Sequence, residues 1–217
     1  MTSDVQVHDH THTHGHDHNR NAELQARVNR LIDAAERHGI TTRADIDQRL
    51  ERFVTVNTPL NGARIVVRAW LDAGFKQRLL ADATSAITEL GYSLGHQTHM
   101  RLHAVANTPE VHNLVVCTLC SCYPMALLGA PPAWYKSVAY RSQAVRDPRG
   151  VLRQFGVDLP AATEIHVWDS TANARYLVIP QRPAATEGLD EEALLAWVPR
   201  DCLIGTALPA APRAAQA

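Results

Sequence analysis

Apolar positions recur at helical spacing through the first part of the chain. Leu24, Val28, Leu31, Ile32 and Ala35 predict a helix that Gly39 ends. Thr41, Thr42 and Asp45 open a second, carrying Ile46, Leu50 and Phe53, and Asn57, Thr58 and Pro59 punctuate it. A third holds Ala63, Val66, Val67 and Trp70 and breaks at residues 72–74. Phe75, Leu79, Leu80, Ala83, Ile87 and Leu90 line one face of a continuous helix closed by Gly91. Beyond residue 98 the period changes, and residues 101–105 and 114–116 read as strands. Ile165 and Val167 alternate with polar neighbours in 164–168, and a polar turn over 169–173 joins that strand to another at 175–179. Helical stretches fall near 137–145, 149–155 and 190–197, the last with Asp190 as its cap. Helices first and paired strands later predict an α+β fold: an N-terminal helical arm, then a layered α/β catalytic domain with paired strands.

Residues 1–21 stand apart. His8, His10, His12, His14, His16 and His18 alternate with Asp, Thr and Gly, and only Val5 and Val7 are aliphatic. Such a segment cannot bury a core and reads as a disordered, weakly metal-binding tail. Imidazole suits cobalt, nickel, copper and zinc, so a tail that captures divalent metal for a site elsewhere is the sharper reading. The arm and helical region then cover 22–97 and the catalytic domain 98–208, with a second disordered tail, rich in Ala and Pro, at 209–217.

Composition narrows the function. The 217 residues, 46% apolar and 20% charged, suit one domain, or one domain with an extended arm, and can bury a sizeable core. A net charge of −1, with Arg and acids interspersed, provides no general drive toward nucleic acid or acidic membranes. No apolar run is long enough to span a bilayer, and no secretory signal is visible, so a reducing cytoplasmic setting is expected. The four cysteines are Cys117, Cys120, Cys122 and Cys202, three of them within six residues. That pattern is no disulfide framework; it points to metal or redox chemistry, with Cys202 a buried small hydrophobe.

The cluster reads Val115-Val116-Cys117-Thr118-Leu119-Cys120-Ser121-Cys122-Tyr123-Pro124. It leaves an apolar strand and ends at a proline suited to a helix start. One residue separates Cys120 from Cys122, so their thiolates can face one metal only if the backbone curls around it. That brings the Ser121 and Cys122 amides within reach. A strongly acidic trivalent ion could ionise those amides; three sulfurs and two nitrogens would leave a sixth position open for water or substrate. The competing reading is a structural zinc held by three cysteines and His112, or a non-enzymatic redox module. The solitary Cys202, the lack of a second Cys-x-x-Cys and the Cys-Ser-Cys spacing weigh against zinc.

Val-Cys-Thr-Leu-Cys-Ser-Cys-Tyr-Pro resembles the metal-claw motif of nitrile hydratase alpha subunits. The similarity extends to residues 61–64, 79–82, 107–113, 128–129, 131–136, 140–141, 145–149, 167–170, 175–176, 180–183 and 200–205, and so covers roughly residues 20–208. The resemblance implies a hydro-lyase that hydrates a nitrile to its amide. It implies a low-spin trivalent cobalt, one per chain, on Cys117, Cys120 and Cys122 and on the Ser121 and Cys122 amides. Thr118 is similar to the cobalt class; iron, whose class usually has Ser there, is less expected. Cys120 would be a sulfinate and Cys122 a sulfenate. The metal would act as a Lewis acid, the Cys122 oxygen as nucleophile or base, and Ser121 as a hydrogen-bonding group. Gln97, Tyr123, Met125, Trp134 and Arg175 fall at positions that would line or support the pocket, with His112 packed nearby. A beta-type subunit would complete the site, making a hetero-oligomer, and an activator or metallochaperone would assist loading. One departure concerns substrate: Pro124-Met125-Ala126 stands where nitrile hydratases carry Pro-Trp-Pro. The thiocyanate hydrolase gamma subunit also departs there, so thiocyanate is the alternative substrate, and Met125 would reshape the pocket wall.

Overall fold

Residues 14–94, 99–120 and 122–212 are described by a computed structural model, with 14–20 as backbone alone. The chain divides into two compact units, 1–53 and 54–217. The first is made by α1 (His14–Arg37) and most of α2 (Arg43–Val56). Helix α1 begins inside the segment expected to be a tail. The first thirteen residues, with His8, His10 and His12, lie outside the described ones, as do the side chains of His14, His16 and His18. Gly39, at φ 65°, ends α1 as expected, with Ile40 N–H on the Ala35 carbonyl and Gly39 N–H on that of Glu36. Thr42 and Asp45 cap α2 reciprocally: the Thr42 hydroxyl donates to Asp45 at 2.8 Å, and Asp45 N–H donates to that hydroxyl at 3.1 Å. Leu24, Leu31, Ile40 and Leu50 are exposed, and α2 buries no residue, so polar contacts such as Arg43 with Asp33 and Glu36 join these helices.

The second unit opens with α3 (Pro59–Leu71), which Thr58 caps and Pro59 starts. Its Ile65, Val66, Val67 and Ala69 are buried. The single long helix expected up to Gly91 is broken into α4 (Ala73–Ala81), α5 (Ala83–Ala86) and a 3-10 turn (Ile87–Leu90). The cause is Asp82, whose carboxylate accepts from the Ser85 N–H at 3.1 Å and the Ser85 hydroxyl at 2.6 Å. A cap inside a helix competes with the next turn and restarts it. Gly91, at φ 76°, still closes the run.

The strands are β1 (Arg101–Ala106), β2 (Val111–Val116), β3 (Glu164–Asp169) and β4 (Ala174–Ile179). Their locations match expectation, but the hairpin between the last two does not form. Instead β1 pairs in parallel with β4, and β2 in parallel with β3. Parallel pairs are buried on both faces, which is why Leu114, Val115, Val116, Leu177 and Val178 are wholly buried. The crossover from β2 to β3 carries α6 (Met125–Leu128), α7 (Val138–Arg146) and α8 (Pro148–Gln154), capped by Ser137 and Asp147. Helix α9 (Glu191–Leu195) begins at its Asp190 cap. Helix α3 packs on α6, α9 and β4, giving one core. Among the described residues no helix is long and apolar enough to cross a membrane.

A buried polar network fixes the turn between β1 and β2. Asn107 Oδ1 accepts from Asn113 N–H at 2.8 Å, Trp168 Nε1 donates to Asn113 Oδ1 at 2.8 Å, and Asn107 Nδ2 donates to His112 Nδ1 at 3.2 Å. His112 Nε2 must then carry the proton, because it meets the Gly205 carbonyl at 2.7 Å. Burial lowers the pKa of this imidazole, opposed by the Gly205 bond, so the folded state holds it neutral. Its contribution is complete above about pH 6.5 and declines as pH falls through the lower folded value. A His112→Gln variant is therefore expected to be less stable than wild type at about pH 7 and to lose less stability on going to about pH 5, read by urea midpoints. Equal losses in both proteins would show that His112 does not carry the acid sensitivity.

Candidate metal centre

Strand β2 delivers Cys117, fully buried, to the base of a loop. Its last residue, Val116, lies beside Asp169, the last of β3. Parallel pairing thus ends two strands at one place, and the segments that follow share a surface. Asp169 accepts from the Thr118 N–H at 2.9 Å and from the Thr118 hydroxyl at 2.5 Å. Arg141 of α7 donates to the Thr118 carbonyl at 3.2 Å. Held on three atoms, Thr118 turns the chain back, and Cys120 N–H points at Cys117 Sγ at 3.3 Å. Leu119, at the tip, is 82% exposed.

The sulfurs converge. Cys120 Sγ lies 3.6 Å from Cys117 Sγ and 3.3 Å from Cys122 Sγ, and all three fall within 4.8 Å of one another. Cys117 is buried, Cys122 half-buried and Cys120 exposed, so the cluster opens outward. Among the described residues this is the group of cysteine, histidine or carboxylate side chains that can hold a metal ion. The Cys122 thiol is pushed up to about 12, chiefly by burial and next by its hydrogen bond with Cys120, while the charge of Arg175 opposes the rise. That rise favours the protonated thiol, so a metal bound through the Cys122 sulfur would displace its proton.

An aromatic layer lies under the loop. The Tyr135 hydroxyl donates to the Cys122 carbonyl at 3.0 Å, and the Tyr140 hydroxyl to the Val115 carbonyl at 2.6 Å. Tyr123 meets Tyr135 edge-on, with centroids 4.9 Å apart. Trp134 packs 4.6 Å from Phe155 and 4.9 Å from Tyr140. Burial raises the pKa of Tyr123, Tyr135 and Tyr140, so all three hydroxyls stay protonated.

The expected pocket residues separate. Tyr123 is 4% exposed, and its hydroxyl has no hydrogen-bond partner among the described residues. Trp134 belongs to the aromatic support, and Met125 starts α6 with 44% exposure. Arg175, on β4, donates to the carbonyls of Thr171 and Ala174 and acts electrostatically on Cys122. Ser121 and Gln97 lie outside the described residues. His112 sits five residues before Cys117 on an extended strand, about 16 Å away, with both ring nitrogens engaged. It therefore does not complete a zinc tetrahedron. The Asp169 carboxylate, at the start of the expected polar turn, binds Thr118. A cavity of about 520 Å³ lies at the opposite end of β2, lined by His112, Asp158 and Arg182 among others, away from the cysteines.

Comparison with known proteins agrees with this geometry. Residues 22–207 match the family described as nitrile hydratase, alpha chain. The chain belongs to that family. It is 49% identical over 190 residues to the low-molecular weight cobalt-containing nitrile hydratase subunit alpha of Rhodococcus rhodochrous, covering 88% of this chain and 91% of the relative. It is 47% identical to the cobalt-containing nitrile hydratase subunit alpha of Pseudonocardia thermophila, over 84% and 89%. The thiocyanate hydrolase subunit gamma of Thiobacillus thioparus is 42% identical over 72% of this chain and 68% of its own. Among solved structures, a double mutant of the Fe-type nitrile hydratase from Comamonas testosteroni superposes with a TM-score of 0.80 at 37% identity, covering 91% of this chain and 99% of that one. The relatives of this chain thus include both cobalt-containing and Fe-type nitrile hydratases. The Cys-x-x-Cys-x-Cys cluster was legible from spacing. Asp169, Arg141 and Tyr135 were not, since only the register of β2 on β3 and the crossover bring them to the loop.

Proposed function

We propose that this chain is the catalytic alpha subunit of a cobalt nitrile hydratase, adding water across a nitrile to give the amide. Support comes from the convergence of three sulfurs within 4.8 Å at a strand end, in a chain close to cobalt-containing relatives. The donor set fits the ion: soft thiolates on a curled loop, with an exposed side left for substrate. Cys117, Cys120 and Cys122 would hold the metal through sulfur, and Ser121 and Cys122 through their backbone amides. When bound, the cobalt supplies Lewis acidity, and Cys120 and Cys122 are proposed to carry sulfinate and sulfenate oxygens.

The chain's own residues prepare that chemistry. Asp169 and Arg141 hold the loop's first turn through Thr118, and Tyr135 holds its end at the Cys122 carbonyl. Arg175 places positive charge near Cys122, favouring its anionic form. The Cys122 oxygen is the proposed nucleophile or base, and Ser121 the hydrogen-bonding group for water or the nitrile nitrogen. Gln97, Tyr123, Met125 and Trp134 are proposed to line or support the pocket.

A beta-type subunit completes the pocket in this proposal. Two features favour it: the 82% exposure of Leu119 at the loop tip, and the exposed apolar side chains of α1 and α2. The complex would work in the cytoplasm, with an activator or metallochaperone aiding cobalt loading. Co-expression with a beta-type subunit in cobalt medium is the test. Amide formed from nitriles, cobalt at one per chain, and added oxygens on the peptide spanning 117–122 are expected. Stoichiometric zinc with unmodified thiols would sink the proposal. Met125, in place of the tryptophan usual in nitrile hydratases, favours a second substrate to assay, thiocyanate, and turnover of thiocyanate alone would reassign the reaction.

A further inference from the structure

We propose that Tyr135 is a positioning residue for the cysteine loop, its hydroxyl setting the direction in which Cys122 presents its sulfur. The proposal rests on the metal-binding role given to the three cysteines. Tyr135 is wholly buried on the 3-10 turn Ala133–Lys136. Its hydroxyl donates to the Cys122 carbonyl at 3.0 Å. A carbonyl held in place fixes ψ at its own residue, because the peptide that follows is planar. The Cα that carries Sγ is one bond away. Cys122 Sγ must meet Cys120 Sγ, 3.3 Å away, across a single intervening residue, so a small rotation at Cys122 separates the two.

The phenol is itself fixed. Its ring meets Tyr123 edge-on at 4.9 Å, Tyr140 at 5.8 Å and Trp134 at 6.1 Å. Burial keeps the hydroxyl a neutral donor. Ser170, the residue after Asp169, is 1% exposed, and its hydroxyl has no hydrogen-bond partner among the described residues. It lies near enough to the phenol to oppose that rise, as a hydroxyl able to donate to the Tyr135 oxygen does, leaving the phenol proton for the Cys122 carbonyl. The end of β3 therefore reaches both ends of the loop: Asp169 grips Thr118 directly, and Ser170 backs the tyrosine that grips Cys122.

Tyr140 provides an internal control. It belongs to the same aromatic layer and also donates to a buried backbone carbonyl, that of Val115 at 2.6 Å, but this carbonyl lies in the strand and not in the loop. Removing either hydroxyl removes one buried bond. Only removal at Tyr135 frees Cys122.

The experiment is a cobalt(II) titration of the reduced full-length chain against a competing chelator, followed by the thiolate-to-cobalt absorption. Histidine binding does not produce that band, so the tail does not interfere. Tyr135→Phe is expected to weaken binding by about 10- to 100-fold, as loss of a group that orients a metal ligand does, and to shift the band. Tyr140→Phe is expected to lose comparable stability in urea while its cobalt affinity and band stay close to wild type. Equal affinity and absorption in the two variants would overturn the proposal. So would a Tyr135→Phe chain that fails to fold while Tyr140→Phe folds, because the hydroxyl would then hold the domain and not the loop. A wild-type chain with no thiolate-to-cobalt band would instead bring down the metal-binding role, and this inference with it.

Discussion

Replacing Cys122 with serine is expected to leave a folded chain that no longer holds one cobalt per chain. Assembled with its beta-type partner, it is expected to hydrate nitriles at least about a thousandfold more slowly, the loss that follows when several kcal/mol of metal-derived stabilisation is removed. The fold is expected to survive because the change is nearly isosteric, Cys122 is half-buried, and the backbone bond from Tyr135 remains. The site is not expected to survive. A serine hydroxyl ionises far less readily than a thiol and is a hard donor beside two soft ones. Cys120 would also lose its neighbour at 3.3 Å. Metal analysis, near-UV circular dichroism and the hydration rate together read the outcome. Wild-type cobalt content with a wild-type rate would place the reacting metal somewhere other than this loop.

Gly205→Ala is expected to be the most destabilising single substitution away from the cysteines, costing more than about 4 kcal/mol and leaving little folded chain at 37 °C. Gly205 sits at φ 84°, where an L side chain is strained. A Cβ there would also overlap the Asn113 carbonyl oxygen, which belongs to the backbone of β2 and cannot rotate away. The Gly205 carbonyl moreover accepts the His112 Nε2 proton, so any shift of the segment opens the Asn107–His112–Asn113 network as well. Urea denaturation of the purified variant checks this; a midpoint within about 0.3 M of wild type would show that the segment can yield, given the usual slope for small domains.

The positions of most elements were legible because they depend on neighbours in sequence. Apolar spacing located α1 to α3 and all four strands, and the side chain at Asp190 marked a helix start. The single helix expected up to Gly91 failed at Asp82, whose carboxylate forms a local cap that outweighs the continuous apolar face on either side. The hairpin expected between 164–168 and 175–179 failed for another reason. A polar turn permits antiparallel return, but apolar strands such as β2 and β4 bury more surface by pairing in parallel with strands far away in sequence.

The cysteine spacing by itself determined that three sulfurs can approach one point, because one or two intervening residues leave the backbone few other paths. The resemblance carried by the claw motif and the stretches around it likewise pointed to the family that residues 22–207 match. Only the tertiary structure decided what holds the loop in that shape. Asp169 is 51 residues from Thr118 and is brought to it by the parallel register of β2 on β3; Arg141 and Tyr135 arrive on the crossover between those strands. Such contacts carry no local signal, since strand register is set by the burial of whole faces and not by the residues that come to meet at the strand ends.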